Sequence, residues 1–267
     1  MLFTSVEELA RTRAFEEGHE PGVEIADGVR IVRRQAFRLA AYGLGVATLG
    51  GGRSIARQDD TGPFGRGPTA QPLDFDGMVD RLRPLARRLV AEDDPDEETY
   101  LRAVAELLSR LDPIPEPWSE PRFPPGGDQA YGLSLWYPPL VVFEIVMKPG
   151  AVIELHDHRF YNGVLMAVEG RVQVRNFEIF DREDLPPMGE EFLIRQTASR
   201  ALEPGQSASL SRTRDNLHEV RAGDREVRLL DVFTYFRPEA RSFEIAFDDR
   251  PIDRDRGLYK VAWKESG

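Results

Sequence analysis

Two histidines one residue apart, His156 and His158, are the part of this sequence best suited to chemistry. On a strand, residues i and i+2 leave the same face, so both imidazoles can reach one ion while Asp157 points the other way. A third histidine, His218, sits in Asn216-Leu217-His218-Glu219-Val220, where a second strand would bring it opposite the first pair. The chain has four histidines and no cysteine, which excludes a thiolate metal site, a disulfide framework and a cysteine nucleophile together. Any metal must then be held by histidine and carboxylate. Neutral imidazoles suit iron, zinc, copper or nickel, and the spacing does not choose among them. His19 stands apart and carries no such signal.

The elements that must position these side chains follow Gly132. Short runs rich in Val, Ile, Phe and Tyr, separated by turn residues, predict strands at 140 to 147, 151 to 157, 163 to 169, 171 to 180, 192 to 196, 207 to 211, 226 to 235 and 242 to 247. In the last of these Phe243, Ile245 and Phe247 alternate with Glu244, Ala246 and Asp248, the pattern of one buried face. A mostly antiparallel barrel or double-sheet roll is the expected architecture for residues 129 to 267.

Residues 73 to 128 read as a helical segment followed by a proline-rich arm. Met78, Leu82, Leu85 and Leu89 mark one helical stripe, and Leu101, Val104, Leu108 and Leu111 another. Asp94-Pro95-Asp96-Glu97 reads as the start of the second helix, with Asp94 as cap, Pro95 in first position and Glu97 completing a capping box. Pro84 is expected to kink or divide the first helix. Six prolines between Asp112 and Asp128 make that stretch a connecting arm.

Residues 1 to 72 read as an N-terminal extension, with poor periodicity at first and a Gly/Pro-rich stretch from Gly50 to Pro72. Inside it, Arg33-Arg34-Gln35-Ala36-Phe37-Arg38 precedes a weakly apolar, glycine-bearing run and then Ser54-Ile55-Ala56. That order resembles a twin-arginine export signal. Periplasm and cytoplasm are both open, and the apolar run is too short to span a bilayer, so no stable membrane insertion is expected.

A chain of 267 residues with 41% hydrophobic side chains suits one good-sized domain with extensions. Its net charge of -11 would repel a phosphate backbone, so nucleic acid is not an expected partner. A monomer or a homodimer is compatible with this composition.

Gly150, His156-Asp157-His158, Gly163 and Gly170 follow the first motif of the cupin superfamily, whose usual form has a glutamate ligand where this chain has Gly163. Losing that carboxylate while keeping the histidines resembles the thiol dioxygenases. The stretch from His156 to Leu165 is similar to that of the cysteamine dioxygenase and plant cysteine oxidase family. Leu217-His218-Glu219-Val220 and Leu229-Leu230-Asp231-Val232 are similar to the family's third-ligand strand and the aspartate-bearing strand after it. The family's proline-rich turn is replaced here by Phe233-Thr234-Tyr235-Phe236.

The resemblance implies a mainly β fold, a cupin double-stranded β-helix or jelly-roll barrel, with His156, His158 and His218 holding Fe(II). It implies dioxygen and a small thiol as partners and a sulfinic acid as product. Three neutral ligands leave a divalent ion its full charge and three open positions on one face. Asp231 is then a group orienting a ligand or substrate, against the plainer reading of a partner for nearby arginines. Tyr161 and Tyr235 are candidates to hydrogen-bond a bound oxygen species, against ordinary aromatic packing. Arg159 is a candidate for a substrate carboxylate, or a solvated surface group. Gly163 keeps space open. Two other readings stand beside this one: a metal cupin acting on a carbon substrate, and a cupin binding module without catalysis.

Overall fold

A computed structural model describes residues 71–117, 119–180, 182, 186–237 and 242–264. The twin-arginine-like segment lies outside the described residues. Two helices, α1 (Phe75–Ala91) and α2 (Glu97–Ser109), precede eleven strands: β1 (Gln129–Tyr137), β2 (Leu140–Met147), β3 (Val152–Asp157), β4 (Tyr161–Glu169), β5 (Val172–Ile179), β6 (Glu191–Leu202), β7 (Ser207–Leu210), β8 (Leu217–Ala222), β9 (Val227–Tyr235), β10 (Ile245–Ala246) and β11 (Leu258–Trp263). They form a five-stranded sheet in the order β1-β2-β9-β4-β7 and a six-stranded sheet in the order β10-β11-β6-β5-β8-β3. Together these make the near-closed, mainly β barrel that the sequence predicts. No described helix is long and apolar enough to cross a membrane.

The apolar runs in β2, β4 and β9 have little alternation because both faces of their sheet are buried. Val141, Phe143, Ile145, Leu165, Ala167 and Leu229 join a cluster with Val172, Val174 and Val220 of the opposite sheet, which is the barrel interior. The intervening Leu140, Val142, Val164, Met166, Leu230 and Val232 instead pack with Met78, Leu82, Leu101 and Leu108 of the helices. The two helices therefore cover the outer face of the five-stranded sheet. Polar ties cross the same seam. The Tyr100 hydroxyl and Thr234 Oγ1 lie 2.5 Å apart, and Glu97 accepts from Asn162 Nδ2 at 3.0 Å and from Arg212 Nε at 2.9 Å.

Three local expectations are corrected. Helix α1 runs unbroken through Pro84, which lies on its exposed side, so the carbonyl left without a donor faces water. Its buried stripe is Met78, Val79, Leu82, Ala86 and Leu89, and Leu85 is turned outward. Helix α2 is capped by Asp96, which accepts from Thr99 N at 3.0 Å, and not by Asp94. The shift frees Glu97 to reach the barrel.

Among the strands, 242 to 247 shrinks to Ile245–Ala246, because the Phe243 N–H is taken by the Asp157 side chain at 2.5 Å instead of a ladder partner. Strands β1 and β11 were not expected. In β1, Gly132 and Ser134 interrupt the apolar pattern that would have marked it.

Strand β3 pairs antiparallel with β8, matching Ile153 with Val220 and His156 with His218. Three residues on one strand thus span two on the other, a β-bulge. By strict alternation Ile153 and His156 would leave opposite faces. The bulge lets Ile153 join the interior cluster and still sends His156 inward.

The packing of the helices on the barrel gives a stability prediction. Leu108 is 1% exposed at that seam, so Leu108→Ala should lower the unfolding free energy by about 2–5 kcal/mol in denaturant titration.

Candidate metal centre

His156, His158 and His218 are all buried, and one ring nitrogen from each lies within 4.8 Å of the others. His156 Nε2 is 3.0 Å from His158 Nε2 and 3.0 Å from His218 Nε2. Register explains the meeting. His156 and His218 are direct cross-strand partners, and His158 follows two residues on, where its N–H donates to the Asn216 carbonyl at 2.8 Å.

The tautomer of His156 is set by its neighbour. Its Nδ1 lies 2.7 Å from the Glu154 carbonyl oxygen, which can only accept, so Nδ1 carries the proton and Nε2 presents a lone pair. Burial pushes the His156 pKa down to about 4. Burial, then the neighbouring imidazoles, lowers His158 and His218 well below the usual range. All three rings are neutral donors at neutral pH. The His156 lone pair thus faces one ring nitrogen of each of the other two histidines at 3.0 Å, an arrangement that a shared cation would fill.

The spacing also fits an ion. Two nitrogens each about 2.1 Å from a metal lie about 3.0 Å apart when they subtend a right angle and about 3.4 Å apart in a tetrahedron. The observed separations match the right-angled arrangement, which leaves the opposite side of the ion open. The buried cluster fits a metal site.

His158 is held by packing. Its ring centroid is 4.2 Å from Tyr161 and 5.8 Å from Phe233. Tyr161 stacks on Tyr235 at 5.0 Å, and its hydroxyl pairs with Ser242 Oγ. Neither tyrosine is among the residues that line the cavity beside His158. That cavity is bordered by His158, His218, Gly163, Asn176, Asp231 and Phe233, among others. A Cβ on Gly163 would come within 2.9 Å of the Phe233 ring, so even the smallest side chain there requires Phe233 to move.

Asp231 faces inward from β9, and burial alone pushes its carboxyl up to about 8. It is therefore largely protonated at neutral pH in this setting. No arginine contributes to that shift. Arg159 behaves otherwise than as a receiver of substrate carboxylate. It pairs with Asp157, and its guanidinium lies over Phe243 and Trp263 at 4.7 and 4.6 Å. No Lys or Arg is among the residues that line the cavity.

Sequence reasoning missed Asn176. Its signal was available: Val172, Val174 and Asn176 alternate along β5, so a polar amide occupies a position on the apolar inner face.

Residues 139–247 match the profile of the PCO_ADO family, the plant cysteine oxidase and cysteamine dioxygenase family of cupins. The matched stretch includes the three histidines, Gly163 and Asp231. Solved structures that align with the chain include KdgF from a Halomonas species, at 20% identity over 41% of this chain and 82% of that one, with a TM-score of 0.31. Oxalate oxidase in complex with glycolate aligns at 17% identity over 38% of this chain and 44% of that one, with a TM-score of 0.29. The Cnp3 cupin domain of Schizosaccharomyces pombe aligns at 11% identity over 40% and 64%, with a TM-score of 0.31. The chain thus spans less than half the length of the oxalate oxidase. No curated protein matches the sequence.

The buried titrating groups predict the pH dependence of the metal-free protein. The histidines have folded pKa values below 6.5, so the stability they allow is complete above about pH 6.5 and is lost as pH falls toward 4. Asp231 has the opposite sign: raised from 3.8 to about 8, its contribution is present at low pH and is lost as pH rises through 8. Thermal melting should therefore peak near pH 6.5. His156→Asn should flatten the acid limb, and Asp231→Asn should remove the decline between pH 6.5 and 8.

Proposed function

We propose that this protein is a non-haem Fe(II) dioxygenase of the cupin type that oxidises a small thiol, cysteine- or cysteamine-like, to a sulfinic acid with dioxygen. The observation that carries this reading is the convergence of three neutral imidazole nitrogens beside Gly163, in a stretch that matches a thiol dioxygenase family. A thiol and dioxygen give the sulfinic acid with nothing left over. Both oxygen atoms end on sulfur, which gives up the electrons that dioxygen takes, and no outside reductant is consumed.

His156, His158 and His218 are the residues that would hold the iron. Iron, when bound, supplies the charge that lowers a thiol's pKa and brings thiol and dioxygen to one centre. Gly163 offers no ligating carboxylate, and the Phe233 ring packs where a side chain at 163 would begin. Asp231, whose buried carboxyl is raised to about 8 in the metal-free protein, borders the cavity and would hold or pass a proton at the substrate. Tyr161, stacked on Tyr235 and tied through its hydroxyl to Ser242, would hold the orientation of His158.

The test is oxygen uptake by anaerobically purified, iron-loaded protein offered cysteamine, cysteine, 3-mercaptopropionate and a cysteine-led peptide. Uptake should depend on a thiol, with a product heavier by two oxygen atoms in mass spectrometry. Asp231→Asn should keep its iron and lose about a hundredfold or more in kcat. Iron-loaded protein that consumes oxygen with no thiol would overturn the reading in favour of a carbon substrate, and iron-loaded protein that consumes none with any of the thiols would overturn it in favour of a non-catalytic module.

A further inference from the structure

Asn176 is 4% exposed, lies directly across from His218 in the β5–β8 register and lines the cavity with His158, His218 and Asp231. Its Nδ2 has no hydrogen-bond partner. The preceding inward residues of β5, Val172 and Val174, are both buried in the apolar interior. A valine at 176 would suit the fold better, since a buried amide N–H without an acceptor destabilises the folded state. An orphan donor beside two candidate ligands has an obvious use once an acceptor arrives in the cavity.

We propose that the Asn176 amide donates a hydrogen bond to the ligand atom that occupies the open face of the metal centre, on the side of His218. The ligand class is an anion or a lone-pair-rich atom, such as a thiolate sulfur, because an amide N–H donates and adds no charge. The cavity lining contains no cationic side chain, so a neutral donor is what the wall offers an anion. The inference rests on the metal part of the function proposed above and not on the identity of the thiol.

Cobalt(II)-loaded full-length protein titrated with azide, followed by visible absorption, gives a readout independent of turnover. Asn176→Val should take up cobalt as the parent does and bind azide about tenfold more weakly, the usual size for a hydrogen bond to a charged partner. Its melting temperature should equal or exceed that of the parent, which a merely structural amide would not allow. Asn176→Ser, which keeps a shorter donor, should recover part of the affinity. Asn176→Ala should repeat the weakening and decides the matter if the valine variant does not fold. Azide binding unchanged in the folded variants, or a lower melting temperature with azide affinity intact, overturns the role of Asn176 and leaves the metal reading standing. A parent protein that takes up no cobalt overturns both.

Discussion

His156 Nε2 is held 3.0 Å from both His158 Nε2 and His218 Nε2 in a buried interior, and much of the surrounding structure serves to keep the three rings together. The Glu154 carbonyl takes the proton side of His156 and so turns its lone pair inward. The bulge in β3 reverses the alternation between Ile153 and His156, so that one strand supplies both an apolar core residue and His156, with His158 just past its end. Burial keeps all three rings neutral. In water the same imidazoles would separate or be protonated in mild acid.

Around this constraint the two sheets do different work. The six-stranded sheet carries the histidines and Asn176, while the five-stranded sheet supplies Gly163, Asp231 and Phe233 as the facing wall. That wall is rigid because it is buried twice, by the barrel interior on one side and by α1 and α2 on the other. Glu97 extends the support with its bonds to Asn162, beside Gly163, and to Arg212, in the loop that leads to β8. A helical segment outside the stretch matched by the family profile is thereby joined to β4 and to the loop before β8.

The charged groups next to the ligands are kept out of the cavity. Asp157 alternates away from His156 and His158, accepts from Phe243 N and pairs with Arg159, which lies against Phe243 and Trp263. Among the residues that line the cavity Asp231 is the one acid, and burial raises its carboxyl to about 8 in the metal-free protein.

The sequence by itself determined the candidate metal ligands and the class of fold. A chain without cysteine and with four histidines leaves few ways to hold a metal, and period-two apolar runs separated by turns specify strands. Those signals are local, readable over a few residues. What the tertiary structure decided depends on pairing across long separations: the register that sets His156 against His218, the bulge, the shift of the α2 cap that turns Glu97 toward the barrel, and the outward turn of Arg159. The strand run at 242 to 247 was cut short in the same way, by a side chain 86 residues distant in sequence. Asn176 joins both categories. Its alternation with Val172 and Val174 was legible, but only the packing shows that its amide has no acceptor, because whether a buried group is satisfied depends on every strand around it.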